Sequence, residues 1–121
     1  MKKLPIALVL LLALPGAAFA GERQDADVAL EHARTSVQAA EHADASQTAP
    51  TEFNIAHDSL ASAEGAYERH HWVEAIYAAD RASADADLAA ARARQTRAET
   101  ATAQIESTVQ TLRNQLGVSG G

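Results

Sequence analysis

No cysteine occurs among the 121 residues. Its absence excludes a disulfide framework, a thiolate metal centre, a thiol nucleophile and a lipid anchor attached through cysteine. Lysine is confined to positions 2 and 3, proline to positions 5, 15 and 50, and aromatic residues make up 4% of the chain. Nothing beyond Pro50 therefore forbids helix, and few side chains are large enough to build a deep core. The sequence also lacks the G-x-S-x-G, H-E-x-x-H, P-loop and G-x-G-x-x-G patterns. Its serines, histidines and aspartates are scattered, which offers no preorganised catalytic group and predicts a non-enzyme.

One apolar run stands out, Ile6 to Leu14, behind Lys2 and Lys3 and ahead of Pro15, Gly16 and Ala18-Phe19-Ala20. A basic start, a short apolar stretch, helix breakers and an A-x-A site make a cleavable signal peptide over residues 1–20, cut between Ala20 and Gly21. A span would need about 20 apolar residues. The expectation is an exported, soluble periplasmic protein with no lipid anchor and no membrane span after cleavage. The mature chain then carries eight arginines against sixteen acidic residues, a formal charge of −8 with histidines neutral. An acidic, lysine-free surface argues against nucleic acid or anionic lipid as partner, because both are bound by neutralising phosphate.

What is abundant is alanine, 25 of the 101 residues from Gly21 onward. Alanine is the best helix former, and with Glu, Gln and Arg around it the chain is predicted to be all-α. Each buried alanine contributes only about 0.8 kcal/mol against roughly 1.5 kcal/mol of conformational entropy per ordered residue, so the core is expected to be thin.

Apolar positions recur at helical spacing in three segments. From Asp25, read as an N-cap, the stripe Ala26, Leu30, Ala33, Val37 and Ala40 predicts a first helix over about 25–45. Ser46 to Ala49 interrupts it, and Pro50 opens a second helix over 50–69, with Phe53, Ala56, Leu60, Ala63 and Tyr67 on one face. Glu52 sits where the helix dipole favours a negative charge. Glu68-Arg69-His70-His71-Trp72 is read as a tight turn, although neither glycine nor proline marks it. A third helix over 72–116 carries Trp72, Ala75, Ala79, Ala82, Ala86, Ala89 and Ala93, then shifts phase to Ala98, Ala101, Ile105, Val109, Leu112 and Leu116. Such a shift resembles a coiled-coil stutter. At 1.5 Å per residue this helix is roughly 67 Å long, twice what its neighbours can cover. The predicted architecture is an antiparallel helical hairpin or three-helix bundle with a long, coiled-coil-like C-terminal helix over residues 21–116, and a flexible tail over 117–121. The seam Ile105, Val109, Leu112, Leu116 is left open, which suggests self-association or contact with other envelope proteins.

Ala49-Pro50, Ala56-x-x-x-Leu60-x-x-Ala63, Trp72-x-x-Ala75, Ala79-x-x-Ala82 and Asp85-Ala86-Asp87-Leu88-Ala89 together resemble the bacterial envelope family called domain of unknown function 4398. The resemblance covers about residues 25–100. It implies an Ala-Pro helix start, a helix of spaced Ala and Leu, an aromatic turn and an alanine-rich helix with an Asp-Ala pair. In that family the domain occurs alone or ahead of a peptidoglycan-binding domain similar to outer membrane protein A, often in lipoproteins. Here the lipid-bearing cysteine is missing and no second domain is expected. The family supplies no catalytic residues to carry over.

Five histidines remain to be explained, His32, His42, His57, His70 and His71. Glu68-x-x-His71 has the i, i+3 spacing by which helix bundles hold di-iron sites, but such sites need a second copy of the motif and two further glutamates. Glu68, His70 and His71 are thus only candidate ligands; the expectation is no metal and no cofactor. Tyr67, Trp72 and Tyr77 gather near the turn and are expected to form core, the alternative being a small-ligand groove. Arg92, Arg94 and Arg97 make a basic cluster expected to pair with acidic helix faces. Function is expected to lie in protein contact, as a structural, scaffold or adaptor component of the envelope. The alternative is a ligand or metal binder using the aromatic turn with His70 and His71.

Overall fold

The computed structural model describes residues 16–117, with side chains from Ala20 onward. Four helices follow one another: α1 Gly16–His42, α2 Ala45–Thr48, α3 Pro50–Glu68 and α4 Trp72–Gln115. The all-α prediction holds, and so does the long last helix. Residues 1–15 of the expected leader and 118–121 of the expected tail lie outside the described residues.

Three layers of alanine hold α1, α3 and α4 together. Ala26, Ala66 and Ala75 meet in the first, Leu30, Ala33, Ala63, Ala79 and Ala82 in the second. In the third, Val37, Ala40, Phe53 and Ala56 face Ala86, Ala89, Ala90 and Ala93. Numbers rise together along α1 and α4 and fall along α3, so α1 and α4 run parallel and α3 runs against both. All five predicted stripe residues of α1 are buried, as are Phe53, Ala56 and Ala63 of α3 and the run Ala75 to Ala93 of α4. Ala66 joins them unpredicted. Small side chains at the contacts let helix axes approach to the near end of the usual 8–10 Å range. No large side chain is fully buried among the described residues.

Three expectations need correction. Asp25 does not cap α1; it lies inside a helix already running from Gly16, because Gly21 alone cannot stop a segment otherwise rich in Ala, Glu, Arg and Gln. The first helix ends at His42, three residues earlier than expected, where Asp44 takes a left-handed conformation (φ 59°). And the supposed gap at Ser46 to Ala49 holds a turn of helix, α2, whose Gln47 and Thr48 N–H groups both donate to the Asp44 carbonyl at 3.0 Å. Pro50 opens α3 as predicted.

The turn between α3 and α4 exists, and its mechanism is visible. His70 adopts φ 61°; its N–H donates to the Tyr67 carbonyl and that of His71 to the Ala66 carbonyl, each at 2.9 Å. This is the helix-ending arrangement usually built on glycine, here built on a histidine. Gly117 (φ 67°) performs the same task after α4.

Candidate functional site

Two regions present side chains beyond the needs of the fold: the turn at one end of the bundle and the free length of α4 at the other.

At the turn, Trp72 is the first residue of α4. Its ring packs edge-on against Tyr67 (centroids 5.1 Å apart) and stacks on His70 at 5.0 Å. The Arg23 guanidinium from α1 lies 5.9 Å from its centroid, within cation–π range. The Tyr67 hydroxyl donates to Asp27 Oδ1, tying α3 to α1. Half-buried Tyr67 and Trp72 therefore belong to the first core layer, as expected. Tyr77 does not: it is 72% exposed, and with Val73, Glu74, His70, His71 and Glu22 it lines an open groove of about 570 Å³. A second groove, of about 530 Å³, runs between α3 and α4 past Ile55, Ser59, Ser62 and Arg81, and shares Glu74 and Tyr77 with the first.

The histidines disperse. Glu68 closes α3 while His71 precedes α4, so the turn separates the pair whose spacing had suggested a helix face. His71 Nδ1 instead lies 3.1 Å from Glu74 Oε2. His32 Nδ1 is 3.0 Å from the buried Ser83 hydroxyl oxygen, and His57 packs edge-on against Phe53. His42 ends α1. Among the described residues no three His, Asp or Glu side chains come together around a point that could hold a metal ion.

Two of the three clustered arginines pair as their sign suggested, and Arg94 has no acidic partner among the described residues. Arg97 Nη2 is 2.8 Å from Asp44 Oδ2, and Arg92 Nε is 3.9 Å from Glu52 Oε1. On the other flank, Arg34 bridges Glu31 (2.6 Å) and Glu64 (3.0 Å). Hydrogen bonds to Glu31 and then Glu64 raise the Arg34 guanidinium above its ordinary pKa. These pairs are exposed and worth little each.

Beyond Arg97 every described residue is exposed. The free part of α4 is roughly 28 Å long and bears Ile105 (64% exposed), Val109 (41%), Leu112 (50%) and Leu116 (77%) with no other helix beside them among the described residues. The open seam predicted from the phase shift is thus present. A family model matches residues 28–105, the bundle together with the first part of this free helix. The chain belongs to the domain of unknown function 4398 family. The match begins at Val28 and ends at Ile105, so the domain takes in part of the projecting helix as well as its packed half. No curated protein and no solved structure matches the chain. No described helix is long and apolar enough to cross a membrane.

Contacts at long sequence separation were not legible beforehand: Arg23 over Trp72, Asp27 with Tyr67, and His32 with Ser83. Only a knowledge of how α1 lies on the other helices brings these partners together.

Proposed function

We propose that this protein is an exported, non-catalytic component of the bacterial periplasm that works by protein contact, as a structural, scaffold or adaptor element. The observation that carries the reading is the last part of α4, which leaves the bundle with Ile105, Val109, Leu112 and Leu116 facing water. An apolar row of this kind on a helix is the half of an interface that a second helix completes. Export rests on Lys2, Lys3, the Ile6 to Leu14 run and Ala18-Phe19-Ala20. Removal of residues 1–20 fits the fold, since Ala26 is the first core residue among those whose side chains are described.

A photoreactive amino acid at Leu112, compared with one at exposed Ser107 on the opposite face of α4, tests the contact role in cells. Adducts from Leu112 alone support it; equal or absent labelling at both sites removes it. Export is checked by fractionation and N-terminal sequencing, with a periplasmic chain starting at Gly21 expected and a cytoplasmic chain that retains Met1 contradicting it.

A second reading has one observation in its favour. The groove at the turn joins an apolar wall, Trp72, Val73 and Tyr77, to His70, His71, Glu22 and Glu74, a lining suited to a small ligand, with any metal held there by fewer than three of these groups. A thermal melt with and without saturating zinc or copper decides the metal version: a raised Tm supports it and an unchanged Tm ends it.

A further inference from the structure

The side of α4 turned away from α1 and α3 carries a second apolar row. Tyr77, Ala84, Ala91, Ala98, Ile105 and Leu112 recur every seven residues, and beside them runs a second seven-residue phase that holds Leu88, Val109 and Leu116 together with Arg81, Gln95 and Thr102. All are exposed. The buried row that holds the bundle, Ala75 to Ala93, lies on the opposite face. α4 therefore has two seams, one filled by its own chain and one empty along most of its length. A seven-residue repeat marks a coiled-coil interface.

We propose that the occupant of the outer seam is a second copy of this chain, with the two α4 helices antiparallel about a two-fold axis near Ala98. The inference rests on the protein-contact reading and names the partner. Side-chain size points to this pairing. The row is bulky at Tyr77 and again at Ile105 and Leu112, with alanine at Ala84, Ala91 and Ala98 between. Antiparallel pairing sets Leu112 against the other copy's Ala84, Ile105 against its Ala91, and Ala98 against Ala98. Each layer of this row then holds one large and one small side chain or two small ones, while in the second row Val109 comes beside the other copy's Leu88. Parallel pairing would stack like on like, Ile105 and Leu112 on themselves at one end, Tyr77 on Tyr77 at the other and alanine on alanine between, so the helix separation would change along the seam.

Charge agrees with size. On the flank of the row lie Asp85, Arg92, Glu99, Glu106 and Arg113, with Asp85 also accepting a hydrogen bond from the Ser59 hydroxyl of α3 at 2.9 Å. In the antiparallel register Arg113 falls beside the other copy's Asp85 and Glu106 beside its Arg92, each pair formed twice, against one like-charge approach of Glu99 to Glu99 near the axis. The contact of Arg92 with Glu52 within one chain is long, 3.9 Å, and leaves this guanidinium able to turn outward. Opposed helix dipoles add to the preference. The projecting half of each α4 also gains a neighbour, since it lies along the bundled half of the other copy.

The absence of cysteine makes the test clean. Purified mature chains bearing Ala84→Cys or Leu112→Cys are oxidised separately and as a mixture, and the unsubstituted chain is sedimented at tens of micromolar. The expected result is a dimer, with a disulfide between positions 84 and 112 that forms only in the mixture. Disulfides within each single variant, 84 to 84 or 112 to 112, would overturn the antiparallel register. A monomer that gives no cross-link overturns self-pairing. If Leu112 then still labels a different protein in cells, the contact reading survives and this inference alone fails. Ile105→Glu serves as the control: it should sediment as a monomer while keeping its helical circular dichroism, and an intact dimer would count against the seam.

Discussion

The Arg97 guanidinium joins Asp44 Oδ2 at 2.8 Å and the Ala43 carbonyl at 2.9 Å, so one side chain of α4 fastens the corner where the chain leaves α1. Asp44 holds a left-handed backbone at that corner, which costs an ordinary residue about 1–2 kcal/mol. Both charged partners are more than half exposed, and a pair of this kind contributes under about 1 kcal/mol. Arg97→Ala should therefore lower Tm by less than about 8 °C. Asp44→Gly should cost less than Asp44→Ala, because glycine relieves the backbone. Melts followed by circular dichroism check the order; equal losses for Gly and Ala would refute the backbone account.

His70 performs a task usually given to glycine. His70→Gly removes the strain of φ 61° but also the stacking on Trp72, and is expected to leave the denaturation midpoint nearly unchanged. His70→Val loses the stacking and meets the full cost of a β-branched left-handed residue, so it should destabilise by about 2 kcal/mol. Urea titration at one temperature separates the two variants. A valine variant as stable as the parent would show that the turn relaxes another way.

Gly65 lies inside α3, where glycine is worth about 1 kcal/mol less than alanine. A Cβ there would approach only Arg69 Nη1, at 3.3 Å, the far end of a flexible side chain. Gly65→Ala should raise Tm by about 4–8 °C. A fall would mean that the Arg69 side chain cannot move aside.

Ala79 is fully buried in the middle layer between α1 and α3. Ala79→Leu pushes three helices apart and should cost about 3 kcal/mol or more. The same change at exposed Ala61 should stay within about 0.5 kcal/mol. Denaturant midpoints for the two variants check this, and a leucine tolerated at position 79 would show that the layers are loosely packed.

Periodicity made the core legible. Ala26, Leu30, Ala33, Val37 and Ala40 announced one face of α1, and the run from Ala75 to Ala93 one face of α4, because burial on a helix repeats at a fixed interval. Ends were harder to read. Asp25 has the chemistry of a cap and is not one, since good helix formers on both sides override it. Asp44 and His70 turn the chain without glycine, and nothing local distinguishes them from aspartates and histidines in helices. Tyr77 was expected in the core and lies outside it because it falls on the far side of α4 from Ala75 and Ala79. The seven-residue row it begins is present in the sequence. It is hard to see there because alanine at exposed positions reads as mere helix former.

Of the eighteen buried apolar residues among those described, fifteen are alanine, the others being Leu30, Val37 and Phe53. A core of methyl groups exposes little hydrocarbon when it comes apart, and the heat capacity of unfolding follows that exposed area. The stability curve of this bundle should therefore be shallow and broad: modest at its summit, slow to decline on cooling, and set by backbone helix formation more than by the release of water from large side chains.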